Sequence, residues 1–326
     1  MTKLFLITGF LGSGKTTFLK NFVKLFPKDE IAIIINEFGK EGIDAKLLSS
    51  LKISISEIVN GSIFCVCRLE QFKQTLKEVI EKQPDIVIVE TSGLSDPTGI
   101  RDILSSEEFR DIQYMGSICL VDALNLKKVY STARVCKAQI ATSDIAVINK
   151  TDIASADEIE NCKEILKTQK PNIRIFETSF GYIKPEWIDD MTELKPDTDM
   201  DLLQADTDTN SLQYMKNVKT RDITLQKYLI LVKDTFTYQR FIQFIKMFVE
   251  DTYRIKGFVS IGGEIYLVDC VSNMIKVEKH DIADSNNSNI VPGRIVVLSG
   301  KGMPTRKSIK DAVSLYHNDV ISFMQN

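Results

Sequence analysis

Apolar and polar positions follow one another along this chain in two structured blocks, separated by an acidic stretch. In the first block short apolar runs recur at residues 3–8 (KLFLIT), 30–36 (EIAIIIN), 85–89 (DIVIV), 116–122 (GSICLVD) and 145–148 (IAVI). Continuous runs of this length fit strands buried on both faces, whereas 53–59 (ISISEIV) alternates and 173–178 (IRIFET) reads as a last strand. Segments of helical spacing lie between them. Phe18, Leu19, Phe22, Val23 and Leu25 form one apolar stripe, and Leu69, Phe72, Leu76, Val79 and Ile80 another, which Pro84 ends. Strands of this kind interleaved with helices predict an α/β fold with a mainly parallel sheet over residues 1–188.

Between residues 189 and 208 lie eight acidic residues (Asp189, Asp190, Glu193, Asp197, Asp199, Asp201, Asp206, Asp208) against one basic, Lys195. Such a run predicts an extended, solvated linker, taken to cover 189–218. Order resumes in 219–326 with a strand at 228–232 and a helix at 238–248 that buries Phe241, Ile242, Phe244, Ile245 and Phe248. Strands follow at 255–261, 265–271 and 274–277, and Gly262-Gly263 between the first two is a hairpin signal. A polar loop at 285–289, a strand at 294–298 and a terminal helix around 309–323 complete a smaller α+β module.

Composition narrows the function classes. The 326 residues are 44% hydrophobic and 26% charged, an ordinary globular balance, and a net charge of -3 leaves no basic excess for a general nucleic-acid binder. No apolar run approaches the roughly 18 residues of a membrane span, and the N-terminal run is too short for a signal peptide, so a cytoplasmic location is expected. Four of the six cysteines are scattered singly, which argues against a disulfide framework. Only Cys65 and Cys67 form a local group.

Candidate chemistry starts at Gly9-Phe10-Leu11-Gly12-Ser13-Gly14-Lys15-Thr16, with Thr17 behind it. This is G-x-x-x-x-G-K-[ST] between a predicted strand and a predicted helix, the order that a phosphate-cradling loop requires. Glycines let the backbone turn so that its N–H groups and the helix N-terminus face a phosphate; Lys15 adds positive charge and Thr16 offers a hydroxyl to Mg²⁺. Two acidic loops then arrive at ends of predicted strands. Asn36 to Asp44 carries Glu37, Glu41 and Asp44, and Glu90-Thr91-Ser92-Gly93 closes another strand. A carboxylate there can hold Mg²⁺ or position an attacking water, while the Gly93 N–H meets the γ-phosphate.

Asn149-Lys150-Thr151-Asp152 ends a further strand as N-K-x-D. The Asp152 carboxylate can accept from N1–H and the 2-amino group of guanine, whereas adenine would turn a lone pair toward it. Asn149 would support the loop, the stem of Lys150 would cover the ring, and backbone N–H groups of Thr178-Ser179 would reach the guanine oxygen. Cys65 and Cys67, in Asn60-Gly61-Ser62-Ile63-Phe64-Cys65-Val66-Cys67-Arg68, have two readings: thiolate ligands on an extended turn, or buried or redox-active thiols. Two ligands do not close a zinc site, and the chain has only two histidines, His280 and His317.

Together these segments resemble the CobW-like P-loop GTPases, relatives of the urease and hydrogenase nickel-insertion GTPases. The resemblance spans nearly the whole chain, because that family also carries a C-terminal module after a linker. It implies a GTPase that loads or delivers a transition metal, with cobalt for cobalamin synthesis and zinc homeostasis as the usual roles. The departure lies in the metal motif: where the family has C-x-C-C after Asn-Gly, Ser62 and Phe64 stand at cysteine positions, Cys65 aligns, and Cys67 is displaced. Aspartates replace the family's histidine-rich linker stretch.

The expected machinery is therefore as follows. Lys15 and the amides of Gly9, Gly12, Ser13 and Gly14 hold phosphates of GTP or GDP, Thr16 and Glu37 hold Mg²⁺ with Glu90 near, and Asn149, Lys150 and Asp152 read guanine. Zn²⁺ or Co²⁺ would be the cargo at Cys65/Cys67, and a client metalloprotein or corrinoid enzyme the partner; a homodimer is compatible with the sequence. No arginine is assigned to the transition state, so slow intrinsic hydrolysis is expected, with the loops at 36–44 and 60–68 as the switch. Two other readings stay open: a GTP-dependent regulator that carries no metal, and an ATP-using kinase or transferase of the P-loop class.

Overall fold

The computed structural model describes residues 1–35, 53–57, 66–192, 225–271, 274–280 and 291–325. Its contacts form two compact units, Met1–Lys127 with Val135–Arg221 and Lys128–Arg134 with Asp222–Asn326. In the first, β1 (Thr2–Thr8), β2 (Ile31–Ile35), β3 (Ile53–Glu57), β4 (Ile86–Glu90), β5 (Ile112–Asp122), β6 (Ile145–Asn149) and β7 (Arg174–Glu177) make one sheet. The order is β3-β2-β4-β1-β5-β6-β7, and every pairing is parallel.

The continuous apolar runs have the consequence expected of a two-faced burial. Along β1, Phe5 and Ile7 join one core cluster with Phe18, Phe22, Ile88 and Leu120, while Leu4 and Leu6 join another with Phe72, Leu76, Val87 and Val89. Period-two alternation thus sends successive apolar side chains to opposite faces, and helices cover both. The helices that follow in the chain are α1 (Lys15–Phe22), α2 (Val66–Ile80), α3 (Ile100–Leu104), α4 (Leu126–Thr132), which belongs to the second unit from Lys128 onward, α5 (Arg134–Ala141), α6 (Ala156–Gln169) and α7 (Glu186–Thr192). From central β1 the chain passes beyond β4 to β2, and later from β4 across β1 to β5. That reversal opens a crevice at the carboxyl ends of the strands, the place where such sheets bind ligands.

Periodicity assigns no helix where α3, α4, α5 and α6 lie. Their apolar stripes are short: α6 buries Cys162 and Leu166 alone. Its start is marked instead by a capping box, in which the Ser155 hydroxyl accepts from the Glu158 N–H (3.3 Å) and the Glu158 carboxylate from the Ser155 N–H (2.8 Å). The acidic stretch begins differently from the expectation of extended chain. Asp189 and Asp190 belong to α7, because Trp187, Ile188 and Met191 are buried in the sheet core and draw the backbone into a helix. The rest of that stretch lies outside the described residues.

The second unit holds β8 (Leu225–Val232), β9 (Arg254–Ile261), β10 (Glu264–Val271), β11 (Val277–Lys279), β12 (Arg294–Gly300) and β13 (Val320–Gln325), with α8 (Tyr238–Lys246) and α9 (Thr305–Leu315). Its sheet is antiparallel in the order β11-β10-β9-β12-β8-β13. Phe241, Phe244 and Ile245 of α8 and Ile309 and Ala312 of α9 pack with Ile230, Ile255, Val268 and Ile295 of the sheet. Two expectations are corrected here. The terminal helix ends at Leu315, and residues 320–325 pair with β8; the strand expected at 274–277 reduces to a single bridge, Val271 to Met274, followed by β11. No helix among the described residues is long and apolar enough to cross a membrane.

The helix behind the glycine loop is anchored by aromatic packing. Phe22 meets the Phe5 ring edge-on at 5.2 Å and the Phe26 ring at 5.4 Å, and is fully buried. Phe22→Ala is expected to cost about 3–5 kcal/mol. Urea unfolding followed through Trp187, the single tryptophan, checks this in the correct unit; a loss below about 1 kcal/mol would contradict the packing account.

Candidate functional site

The glycine loop follows β1 directly. Gly9, Gly12 and Gly14 all take positive φ (137°, 75° and 96°), a region a side chain resists. Space is closed as well: a Cβ at Gly9 would lie 2.3 Å from the Leu120 carbonyl oxygen, and one at Gly14 2.3 Å from the Asn149 amide nitrogen. Gly14 is the N-cap of α1 without a side-chain cap, so the helix N-terminus presents its first turn to an anion. Ser13 and Lys15 are buried and Thr17 is exposed. The Lys15 ammonium donates to the Gly9 and Phe10 carbonyls (2.9 and 3.3 Å), which places its charge on the loop itself.

At the end of neighbouring β4, Glu90 is 2% exposed and sits opposite Ile7 in the parallel register. Its Oε1 accepts from the Thr16 hydroxyl at 3.3 Å. Thr91 continues the contact, its hydroxyl donating to the Thr8 hydroxyl (3.1 Å) and its N–H to the Ile7 carbonyl (2.9 Å). Gly93 comes closer still, because a Cβ there would lie 2.6 Å from the Leu11 nitrogen. Behind it Gln139 of α5, fully buried, donates its amide to the carbonyls of Gly93 (3.3 Å) and Ser95 (3.0 Å).

Asn149 closes β6 and joins three loops. Its Nδ2 donates to the Ser13 carbonyl (2.9 Å), and its Oδ1 accepts from the Gly181 N–H (3.1 Å). Lys150 takes a positive φ of 68°, and its ammonium meets the Asp122 carboxylate at 2.7 Å. The same Asp122 oxygen, Oδ2, also accepts from the Asn125 amide (2.8 Å), and its Oδ1 accepts from the Leu124 N–H (3.0 Å). Thr151 donates through N–H (3.2 Å) and hydroxyl (2.9 Å) to the Thr178 carbonyl, and its hydroxyl meets that of Ser179 at 2.9 Å. Asp152 stands exposed in the turn between them and α6.

The structure thus brings Gly9, Gly12, Ser13, Gly14, Lys15, Thr16, Glu90, Gly93, Asn149, Lys150, Thr178 and Ser179 to linked loops at one sheet edge. Asp122, Gln139, Asn21 and Gly181 support these loops without having been singled out from the sequence. Asp122 carried a signal, as a carboxylate ending an apolar run; Gln139 carried none. Glu37 and Cys65 lie outside the described residues. Cys67 is in the first turn of α2, so the extended turn expected for the pair curls into helix at that end.

Among the described residues no group of three or more His, Cys, Asp or Glu is placed to hold a metal ion. Cys119, Cys136, Cys162 and Cys270 are free and buried, and burial pushes their thiols up, to about 12 at Cys119 and Cys162 and about 11 at Cys270. Protonated thiols of this kind act as packing groups rather than ligands.

Over 186 residues the chain is 30% identical to the zinc chaperone YjiA of Escherichia coli (strain K12), covering 55% of this chain and 58% of that protein. It is 34% identical over 155 residues to the zinc chaperone YeiR of the same organism, covering 47% of each. The chain spans about half the length of the curated relatives it matches. A Zn(II)-bound YjiA GTPase crystal structure from E. coli superposes with a TM-score of 0.46 at 18% identity, covering 96% of this chain and 98% of that one. The model of the CobW/HypB/UreG nucleotide-binding domain matches residues 3–177, and with more than half its length in that match this chain belongs to the CobW/HypB/UreG family.

Proposed function

We propose that this chain is a Mg²⁺-dependent GTPase that handles Zn²⁺ for a client metalloprotein, with the nucleotide machinery in residues 1–192, a linker at 193–218 and a separate module at 219–326. The observation that carries the nucleotide reading is the pair of hydrogen bonds made by the Asn149 carboxamide, which ties the glycine loop at Ser13 to the loop at Gly181 and supports one diphosphate and one base in a single crevice. Lys15 and the loop amides would take the phosphates. The Thr16 hydroxyl and Glu90 carboxylate, 3.3 Å apart at the rim of that loop, are hard oxygen donors of the kind Mg²⁺ takes; bound there the ion would neutralise phosphate charge. Glu37 is proposed as a further partner of the ion.

Exposed Asp152 would read guanine N1–H and the 2-amino group. Zinc is favoured over cobalt by the names of the relatives, and Cys65 and Cys67 are the proposed ligands on this chain. The substitution of the family's cysteines by Ser62 and Phe64 favours a second reading, a GTP-dependent activator of a metalloenzyme that carries no metal itself.

Three measurements follow from these assignments. Asp152→Asn is expected to lower GDP affinity at least ~100-fold and to gain affinity for xanthosine diphosphate, whose 2-oxo group suits an amide donor; unchanged GDP binding in calorimetry would remove Asp152 from the site. Single-turnover hydrolysis by the isolated chain is expected to be slow, at roughly 10⁻² s⁻¹ or below, because no positioned arginine is assigned; rapid turnover would overturn that assignment. Titration of Zn²⁺ and Co²⁺ in the presence of GTP or GDP is expected to show a Zn²⁺ site that Cys65→Ser and Cys67→Ser abolish and that differs between nucleotides. A wild-type chain that binds no Zn²⁺ with either nucleotide decides for the second reading, and a Zn²⁺ affinity unchanged by both substitutions removes Cys65 and Cys67 as the ligands.

A further inference from the structure

We infer that Phe180 is the aromatic wall of the purine subsite, stacking on the ring face opposite the stem of Lys150. The inference rests on the guanine-nucleotide reading above and adds a residue to it. Among the described residues only three other than glycine have positive φ: Gln83, Lys150 and Phe180. Two of these three belong to the paired loops that flank Asp152. For a bulky residue this backbone region is strained, and such strain persists where the surroundings impose it.

The surroundings of Phe180 do impose it. On one side Ser179 meets the Thr151 hydroxyl at 2.9 Å, and on the other the Gly181 N–H donates to Asn149 at 3.1 Å. The Asn21 amide of α1 holds the Phe180 and Gly181 carbonyls at 3.1 and 3.0 Å. Gly181 has no room to shift, since a Cβ there would lie 2.7 Å from the Phe18 nitrogen. The backbone around residue 180 is therefore held by residues 149 and 151 of the base-reading loop, and its φ of 55° sets the direction in which the side chain leaves it.

The ring goes into solvent. Phe180 is 73% exposed, although the loop around it is pinned and Thr178 and Gly181 are buried. A glycine or asparagine would occupy this φ with less strain, and a polar side chain would suit the exposure better. A flat apolar surface carried on a pinned backbone beside the base loop is what a purine face stacks on, and stacking of a base on an aromatic side chain is sequence-tolerant and substantial. Lys150, locked by Asp122, presents its aliphatic stem from the neighbouring loop. Specificity for guanine then stays with Asp152, while Phe180 supplies affinity for any purine.

The test compares GDP with inorganic pyrophosphate, which uses the glycine loop and not the base loops. In calorimetry on the full chain, Phe180→Ala and Phe180→Gly are expected to weaken GDP about 10- to 100-fold and pyrophosphate less than twofold, while Phe180→Tyr retains GDP affinity within about threefold. Phe180→Gly matters because it relieves the backbone and removes only the ring. GDP affinity within twofold of wild type in either small variant overturns the stacking, and so does an equal loss for GDP and pyrophosphate, which would mean that the loop and α1 had moved together. A wild-type chain that ignores GDP at millimolar concentration sinks the nucleotide reading itself, a result distinct from either.

Discussion

One side chain holds the nucleotide-binding unit to a single arrangement of loops. Asn149 is 3% exposed at the end of β6, and its carboxamide is used in both directions, as donor to the loop after β1 and as acceptor from the loop after β7. Those strands are not neighbours in the sheet: β5 and β6 separate them. Sheet pairing sets the strand ends, but it leaves the loops beyond them free, and the amide removes that freedom. Breaking one of two such buried bonds leaves a polar group without its partner, which costs about 1–3 kcal/mol, a large fraction of what distinguishes one loop conformation from another. Gly14 shows how tight the tie is, because its missing Cβ is the space that the Asn149 amide occupies.

Charge at the same edge is arranged against the preference of the core. Lys15 is 6% exposed and Glu90 2% exposed, although isolated charges are expensive to bury. Each is met by groups of the glycine loop: Lys15 by carbonyls of Gly9 and Phe10, Glu90 by the hydroxyl of Thr16. Groups of complementary charge placed in low dielectric act strongly on whatever enters between them, and they need no reorganisation to do so. Gln139 extends the same principle outward. By holding the carbonyls of Gly93 and Ser95 it fixes the path of the chain that leaves Glu90, so the carboxylate and the glycine after it arrive together.

In the second unit the sequence was legible where burial is one-sided and misleading where it ends. Strands β8, β9 and β12 alternate buried and half-buried residues, and the Gly262-Gly263 turn joins β9 to β10, as the pattern predicts. After Leu315 the residues Val320, Ile321, Phe323 and Met324 can be read as a helical stripe or as a strand. Asp319 decides between them, since its carboxylate accepts from Thr235 and Arg240 (2.8 Å each) and fixes a turn at that point. Those partners lie some eighty positions away in sequence, so no local pattern announces them. A tertiary contact overrides a local ambiguity, which is the usual way helix ends are misjudged.

The nucleotide-binding edge was more legible than the module because its chemistry is written in backbone requirements. Gly9, Gly12, Gly14 and Gly93 are glycines for reasons of φ and close approach, and a spacing of glycines survives in the sequence as a visible motif. Side chains that act through hydrogen bonds across the fold leave no such trace. Asn21 looks like one polar residue on an amphipathic helix, Gln139 like another, and Asp122 like the end of a strand, until β5 and β6 set Asp122 beside Asn149 and within reach of Lys150. The same division applies to residue 180. Serine and glycine on either side mark a loop, but only the bonds to Asn149, Thr151 and Asn21 reveal that this loop is rigid, and rigidity is what turns an exposed phenylalanine from a surface accident into a defined surface.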